Sequence, residues 1–366
     1  MTSSKPPQKY IGNFKEGQFD GLGVLFLDVA AGSLIIGPWK DGELEGVSLM
    51  VTEREHIAFG PSSGGAMNGD CKEFEMEVLD FEFNRFLTDT VQRVMDSRFE
   101  EKPDVSMEDV LGMFLNRFSL RLSFEGNYVD DVRNGKGTLY LEDGGRIEAV
   151  WKNGDINDEK AKYVYPDYPR NGKECYLTGK WVDGEMVSAL FMATGEDDDR
   201  TSYCYDEATS DSLGRFPIKR ERLETMKVYV SQSLLPNGGN GLFAKKPLLK
   251  DEVVAFYNGL HVQHDTINAR DWALNANALT VNDEFCVDIP PEMSSEDKYC
   301  ASLGHFANHD WKRQNCEYRP YWSPRFGDIK CLRAIKDIAE NEEILVDYDY
   351  TDEFPDWYRI FASAQN

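Results

Sequence analysis

The first half of the chain alternates short apolar and aromatic runs with polar turns that contain glycine. Residues 10–17 are echoed by residues 37–42, and Phe14 lies 25 residues before Trp39 at the corresponding position. The pattern returns at 124–137, 151–154 and 176–184. Asp-Gly and Asn-Gly pairs favour tight hairpins because glycine adopts positive φ without strain. A repeat of this length indicates stacked units, so we predict a twisted antiparallel sheet of consecutive hairpins over residues 1–190.

Residues 51–118 interrupt this pattern. The run from 74 to 98 contains few turn residues, and apolar residues recur at helical spacing between Val91 and Met95. We therefore predict an irregular segment of degenerate strands here, with a helix near 84–98.

Beyond residue 190 the pattern changes again. Residues 191–225 include a run of acidic residues, which is typical of a solvated surface loop, and we interpret this range as a linker. Short apolar strands then alternate with turns over residues 226–351, which we predict to be a second domain, and residues 352–366 form a C-terminal segment that we expect to close the active site of that domain. The predicted fold class is mainly β with short helices.

Acidic residues outnumber basic ones by 65 to 40, which gives a formal net charge of −25. This balance disfavours direct binding to nucleic acid, where Lys and Arg supply most of the affinity. It would attract a basic partner, or it could serve solubility alone, and charge does not separate the two. No window approaches the ~18 consecutive apolar residues of a membrane helix. The first residues lack the apolar core of a secretory signal, so we expect an intracellular protein without a membrane span.

Seven cysteines are scattered along the chain, without a Cys-x-x-Cys pair or a histidine at metal-ligand spacing. This distribution disfavours a zinc site and a disulfide framework. We therefore expect free thiols and no bound metal.

The second half carries three short motifs in order. Gly239 and Gly241 bracket a turn, residues 304–310 contain an Asn-His pair followed by an Asn-Cys pair at 315–316, and residues 339–350 end in Asp-Tyr-Asp-Tyr. Taken singly, each motif is common, and a Gly-x-Gly turn is more often a plain β-turn. Taken together and in this order, they resemble the signature of SET-domain protein-lysine methyltransferases.

Four further segments strengthen the resemblance, and the N-terminal hairpin units resemble MORN repeats. The segments are 256–259, 270–275, 298–305 and 325–331. The chain is similar to the branch of the family that joins MORN repeats to a SET domain and mono-methylates lysines of the histone H3 tail and of non-histone proteins. The resemblance implies S-adenosylmethionine as cofactor, Lys/Arg-rich tails such as histone H3 as partners, and a location in nucleus and cytoplasm. It also implies a SET β-clip domain of small curled sheets, whose C-terminal pseudoknot brings Tyr348 against Asn308 and His309.

The resemblance further assigns site residues. The catalytic channel would be formed by Tyr257, Tyr318, Tyr348 and Tyr350. Within it, Tyr348 would lie nearest the transferred methyl group, and Tyr318 would limit the product to one methyl. The cofactor would be bound by Gly239, Asn240, Gly241, Asn308, His309 and Trp357. The substrate would contact Trp272, Leu279, Thr280, Tyr257 and Tyr318. Aromatic walls suit this chemistry, because an apolar channel favours the neutral, nucleophilic form of lysine and π-faces stabilise nearby cationic groups.

The chain also departs from the family pattern. Asn240, Phe306, Asp310 and Asp349 stand where an acidic residue, a lysine, a serine and a glycine are usual, and the loop after His309 is one residue longer. Two hypotheses therefore remain: an active lysine mono-methyltransferase, or a catalytically weak SET protein in which the MORN repeats act as a scaffold.

Overall fold

The computed structural model describes residues 9–28, 32–53, 55–77, 106–166, 174–193, 201–204 and 219–349, together with Phe86, Asp89, Thr90, Gln92, Arg93 and Leu213. Within these residues the chain is mostly β with few helices, which confirms the predicted fold class. The chain divides into two compact units. The first contains the residues up to 142 with 146–163 and 179–184, and the second contains 143–145, 164–178 and the residues from 185 onward.

Consecutive hairpins build the first unit. Its strands are β1 (Lys9–Lys15), β2 (Gln18–Asp28), β3 (Ser33–Lys40), β4 (Glu43–Leu44), β5 (Gly46–Thr52), β6 (His56–Ser63), β7 (Ala66–Met67), β8 (Gly69–Glu77), β9 (Ser119–Val129), β10 (Val132–Tyr140), β11 (Arg146–Lys152), β12 (Asp155–Ile156) and β13 (Asp158–Val164). Antiparallel neighbours follow the order β1-β2-β3-β5-β6-β8-β9-β10-β11, and β13 lies beside β11. The predicted N-terminal antiparallel sheet is confirmed.

The glycines of the repeat have two separate roles. Asp41 and Gly42, which connect β3 to β4, have φ values of 50° and 86°, and positive φ at both positions is the geometry of a tight two-residue hairpin. Elsewhere glycine leaves room for an aromatic ring. A Cβ at Gly137 would lie 2.4 Å from the ring of Phe124, which in turn packs 5.2 Å from the ring of Trp151. Glycine and aromatic residues therefore recur together because each ring lies over a neighbouring backbone.

Part of the segment 51–118 is more regular than we predicted. β6 pairs with β5 in unbroken register from Gly46↔Ser62 to Thr52↔His56, and β8 continues the sheet to β9. The prediction of degenerate strands is therefore wrong for β6 and β8. Each of these strands carries a single aromatic residue, Phe59 in β6 and Phe74 in β8, and the segment keeps the glycine turns of the repeat.

A helix that the periodicity did not indicate is α1 (Met107–Arg117). The Ser106 hydroxyl accepts a hydrogen bond from the Asp109 backbone, and the Asp109 carboxylate accepts one from the Ser106 backbone, which is a capping box. Val110 and Phe114 of α1 are buried in the core of the first unit. Of the helix predicted near 84–98, the described residues are helical and the others lie outside the described part of the chain. Those described are Phe86, Asp89, Thr90, Gln92 and Arg93.

The second unit consists of small sheets joined by short helices. Its strands are β14 (Cys175–Val182, shared with the first unit), β15 (Glu185–Ala193), β16 (Ser202–Tyr203), β17 (Val228–Gln232), β18 (Asn240–Ala244), β19 (Val253–Tyr257), β20 (Leu260–Gln263), β21 (Ala278–Thr280), β22 (Phe285–Asp288), β23 (Asn308–His309), β24 (Cys316–Ser323), β25 (Gly327–Ala334) and β26 (Leu345–Val346). Its helices are α2 (Arg222–Lys227), α3 (His264–Ala269) and 3-10 turns at Trp272–Asn275, Pro291–Met293 and Gly304–Phe306.

Four of these sheets surround the C-terminal core. They pair β17 with β18, β19 with β25 and β24, β20 with β22 and β21, and β23 with β26. The last pair is parallel, with Asn308 opposite Leu345 and His309 opposite Val346. The predicted contact between the C-terminal motif and the Asn-His pair is therefore present.

The predicted linker 191–225 is partly structured. β15 extends to Ala193 and pairs with β16, where Tyr203 is buried and its hydroxyl donates to the backbone oxygen of Arg220. α2 then begins at Arg222. A plain linker is therefore wrong for these residues, because Tyr203 belongs to the core. Residues 194–200, 205–212 and 214–218 lie outside the described part.

A buried carboxylate connects α2 to the elements that carry the second-half motifs. Glu224 accepts hydrogen bonds from the backbone nitrogens of Phe256 on β19 and Leu303 before the 3-10 turn. Burial raises the pKa of Glu224 well above its usual range, and the two backbone donors oppose this shift. Neighbouring Lys227, also buried, pairs with Glu252 at 3.3 Å. These contacts position α2 against β19 and the residues that lead to Asn308.

All seven cysteines are described, and all are free thiols. Among the described residues there is no group of three or more His, Cys, Asp or Glu side chains placed to hold a metal ion. Nor does this part of the chain contain a helix with the length and apolar character needed to cross a membrane.

Candidate active site

A cavity of about 440 Å³ collects most of the predicted channel and substrate residues. It is lined in part by Tyr257, Tyr318, Tyr348, Leu279 and Thr280. The prediction for Tyr350 lies outside the described residues, as does that for the side chain of Trp272. Residues that are separated by more than ninety positions in the chain thus border a single space.

Tyr257 and Tyr318 form one wall of this cavity. Tyr257 ends β19 and is buried, and its hydroxyl donates to the backbone oxygen of Asn277 at 2.9 Å. Tyr318 projects from β24, and the two rings are nearly perpendicular with centroids 5.8 Å apart. The hydrogen bond and the edge-to-face contact fix the orientation of Tyr257.

Tyr348 follows β26 and is held at both ends. Its backbone nitrogen donates to His309 Nδ1 at 2.9 Å, and its hydroxyl donates to the backbone oxygen of Ala307 at 2.9 Å. Because Nδ1 of His309 accepts this bond, a neutral His309 ring carries its proton on Nε2. Burial lowers the pKa of His309, although Asp347 and Asp310 oppose the shift, so the neutral ring is favoured. The parallel β23–β26 pair thus places Tyr348 at the cavity.

Two of the predicted cofactor residues, Gly241 and Asn308, meet at a buried carboxylate, that of Glu343. Glu343 accepts hydrogen bonds from the Ser233 hydroxyl at 2.5 Å, the Leu234 backbone at 2.9 Å and the Asn308 amide at 3.3 Å. The Asn308 amide also donates to the backbone oxygen of Asn240 at 3.0 Å.

Gly241 is required by this arrangement. A Cβ at this position would lie only 2.5 Å from Glu343 Oε1. Glu343 was not among the predicted site residues. The signal that could have identified it is the acidic pair Glu342-Glu343 within the last motif, next to the apolar strand β26.

The loop after His309, whose sequence departs from the family pattern, is held by several hydrogen bonds. Buried Asp310 accepts hydrogen bonds from the backbone nitrogens of Lys312 and Arg313, and its carboxylate lies 2.6 Å from Arg313 Nε. At the end of the loop, Asn315 accepts from the Leu345 backbone at 2.9 Å and donates to the Glu343 backbone oxygen at 2.8 Å. Asp310 therefore serves as a turn-forming residue.

Among the cavity residues that the sequence predictions missed, two carry basic side chains. His305 lines the cavity, and burial lowers its pKa to about 4, so its ring is neutral at neutral pH. Arg270 also lines it, but its guanidinium pairs with buried Asp288 at 2.8 Å and donates to Asn275 Oδ1 at 2.5 Å. These two residues therefore add little unpaired positive charge to the wall.

Known protein families match segments in both halves of the chain. The SET domain family matches residues 239–349, and the MORN repeat family matches residues 10–26 and 124–146. The chain is also 35% identical over 263 residues to the protein named Histone-lysine N-methyltransferase SETD7 of Halocynthia roretzi, covering 65% of this chain and 67% of that protein. The chain belongs to the family of SET-domain lysine methyltransferases that carry MORN repeats. The resemblance inferred from the motifs is thereby confirmed.

Among solved structures, this SET methyltransferase is similar to the humanized mutant of the Chaetomium thermophilum Polycomb Repressive Complex 2 bound to the inhibitor GSK126. The identity is 25% and the TM-score is 0.27, over 36% of this chain and 16% of that chain. The residues that the two families match place the MORN repeats before the SET domain in the chain.

The residues around Gly239 fit a bound S-adenosylmethionine. Gly239 has a φ of 61°, and no atom lies within 4 Å of the position that its Cβ would take, so a ligand has room against the backbone there. Gly239, Gly241, Asn308 and His309 would hold it with backbone and side-chain polar groups. Trp357 lies outside the described residues.

Proposed function

We propose that this SET methyltransferase uses S-adenosylmethionine to mono-methylate lysines in Lys/Arg-rich protein tails, such as that of histone H3, and in non-histone proteins. When bound, the cofactor supplies an electrophilic methyl group on a sulfonium centre. The proposal is supported by the SETD7 relative and, above all, by the cavity that three of the four predicted channel tyrosines line together. We further propose that it acts in both nucleus and cytoplasm.

The cavity supports this chemistry because it favours a neutral amine. A lysine side chain in water has a pKa near ~10.4 and must lose its proton before it can attack a methyl carbon. Burial between the rings of Tyr257, Tyr318 and Tyr348 disfavours the charged form. The neutral ring of His305 lies in the same wall, and a charge there would hinder entry of a basic side chain.

The fixed orientation of Tyr348 also supports the proposed methyl transfer. A displacement at a methyl group gains chiefly from the alignment of its reacting atoms. Tyr348 is fixed at its backbone by His309 and at its hydroxyl by Ala307. The ring of Tyr348 therefore has a defined orientation. It lines the cavity and lies next to His309, one of the residues proposed to bind the cofactor.

The acidic character of the chain supports the proposed class of partner. A net charge of −25 attracts Lys/Arg-rich segments over distances longer than a hydrogen bond. The same charge repels nucleic acid, so we propose protein tails as the direct partners of this enzyme.

The proposal is tested by methyl transfer from radiolabelled S-adenosylmethionine to a histone H3 tail peptide. We expect transfer by the wild type and a loss of about a hundredfold in kcat for Tyr348→Phe, which removes the hydroxyl bound to Ala307. Tyr229→Phe is the matched control, because Tyr229 stacks on Phe243 outside the cavity and its hydroxyl bonds Asn341. The absence of both transfer and cofactor binding in the wild type would favour the scaffold hypothesis instead.

A further inference from the structure

A cysteine and a histidine that methyl transfer does not use lie together at the edge of the cavity. Cys286, on β22, lines the cavity and is otherwise buried. Its Sγ lies 3.4 Å from Nδ1 of His264 at the start of α3, and 3.6 Å from the Thr280 hydroxyl. The thiol of Cys286 therefore contacts both an imidazole and a hydroxyl beside the proposed lysine site.

The hydrogen bonds of the imidazole determine where its proton lies. His264 Nε2 is 2.8 Å from the backbone oxygen of Asn282, and a carbonyl oxygen can only accept. Nε2 of a neutral ring therefore carries the proton, and Nδ1 has a free lone pair directed at Cys286 Sγ. A nucleophile, a base and a third group that orients the base are the recurring parts of activated thiol sites.

Strand register holds these three groups in place. Cys286 is opposite Val262 of β20 on one side and opposite Thr280 of β21 on the other. His264 follows directly after β20, and Asn282 lies in the turn between β21 and β22. The pair is thus built into the three-stranded sheet and does not depend on a single exposed loop.

Three other thiols of the chain are held protonated by their surroundings. Burial raises the pKa of Cys71 to about 11 and also raises the pKa of Cys300 and of Cys316. A thiol that stays protonated is a poor nucleophile, because the thiolate is the reacting form. These three cysteines therefore have no comparable means of reacting near neutral pH.

We propose that Cys286 is a covalent modification site for small soft electrophiles, such as α,β-unsaturated carbonyl compounds, with His264 as the base. His264 Nδ1 takes the thiol proton as Sγ forms a bond to the β-carbon of the acceptor. The π electron pair of the broken C=C double bond moves towards the carbonyl as an enolate. The enolate then takes up the proton held by His264, so no oxidant, reductant or leaving group is needed.

An adduct at Cys286 would occupy the space bordered by Thr280, Tyr257 and Tyr318. A cavity of about 440 Å³ admits a small reagent, since ligand pockets begin near ~300 Å³. If the proposed function is correct, the adduct excludes the substrate lysine and stops methyl transfer. Only this inhibitory consequence rests on the proposed function; the reactivity of Cys286 does not.

The site is tested by timed labelling of the full chain with limiting N-ethylmaleimide near neutral pH, followed by digestion and mass spectrometry of every cysteine peptide. Cys204 serves as the internal reference, because its side chain is partly exposed. We expect Cys286 to react about tenfold faster than Cys204. His264→Asn keeps a polar group near Nδ1 but cannot take the proton, so it should slow labelling of Cys286 about tenfold and leave Cys204 unchanged.

Labelling of wild-type Cys286 at or below the rate of Cys204 would overturn the proposal, even if His264→Asn does not fold. An unchanged rate at Cys286 in a folded His264→Asn protein would overturn it too. In a parallel methyl-transfer assay, the reagent should abolish wild-type activity and spare the activity of Cys286→Val, each relative to its own untreated sample. A wild type without methyl transfer would count against the proposed function alone, because labelling is read by mass.

Discussion

Tyr318 offers the sharpest test at the scale of a single residue, because its ring packs against Tyr257 in the wall of the cavity. Tyr318→Phe removes one hydroxyl from this wall and leaves room for a methylated amine to turn and react again. We expect the product to shift from mono- to di-methyl-lysine, with the first methylation changed less than about tenfold. Mass spectrometry of the peptide product measures this shift directly.

The matched control for this change is Tyr321→Phe. Tyr321 lies on the same strand and is buried against Phe256, 4.7 Å between ring centroids. It should leave the product distribution unaltered. A purely mono-methylated product from Tyr318→Phe would contradict the proposed role of its hydroxyl.

His305, which lines the cavity, makes the free energy of unfolding depend on pH in the acidic range. An unfolded histidine takes up a proton near pH ~6.5, whereas burial holds the folded pKa at about 4. As the pH falls through this window, the unfolded state binds the additional proton, so the free energy of unfolding decreases by roughly 3 kcal/mol. Urea unfolding between these two pH values should show a shallower pH dependence for His305→Gln than for the wild type. Parallel curves would show that His305 is not the titrating group.

At this scale, the sequence indicated the tyrosines but not Glu343. The tyrosines lie in or beside short motifs that can be recognised from the sequence alone, although the cavity brings together strands that are far apart in the chain. Glu343 acts through Ser233 and Leu234, which lie more than a hundred positions earlier in the chain. Local pattern carries no information about such a long-range bond, and a glutamate in an acidic chain is most simply interpreted as a solvated surface residue.

At the scale of elements, α1 offers a test of what the capping box contributes. Ser106→Ala removes the hydroxyl that accepts from the Asp109 backbone and should destabilise the helix by about 1 kcal/mol. Gly112→Ala, in the interior of the same helix, should stabilise it by about 0.5–1 kcal/mol, since nothing lies within 4 Å of the added Cβ. Amide hydrogen exchange within residues 107–117 should therefore become faster in the first variant and slower in the second. Equal exchange in both would contradict this account.

The elements were predictable to the degree that their local signals were strong. Glycine turns and paired aromatic residues predicted the N-terminal sheet, because both are needed within a single hairpin. β6 and β8 have the turns but only one aromatic residue each, so their sequence pattern is weaker than that of the repeat. The capping residues Ser106 and Asp109 mark the start of α1, but they are a weaker helix signal than the apolar periodicity between Val91 and Met95.

For the whole molecule, the net charge of −25 predicts a salt-dependent interaction with basic substrates. Salt shortens the range of surface electrostatics, with a Debye length that falls from about 30 Å at 0.01 M to about 10 Å at 0.1 M. We expect the KM for a Lys/Arg-rich peptide to rise severalfold across this range, while kcat changes little. A peptide with the same target lysine but neutral flanks is the control. An equal rise in KM for both peptides would argue against steering by charge.

The two-residue strand β26 has a consequence for biosynthesis. It joins Asn308 and His309 to Tyr348 through a parallel pair that no earlier part of the chain can supply. On the ribosome, the repeats and most of the second unit emerge before Leu345, but the cofactor residues and the cavity wall cannot meet until β26 has emerged. A nascent or prematurely terminated chain ending before that strand is therefore expected to be inert, however well its earlier hairpins have formed, and competence for chemistry arrives only after Tyr348 has been added.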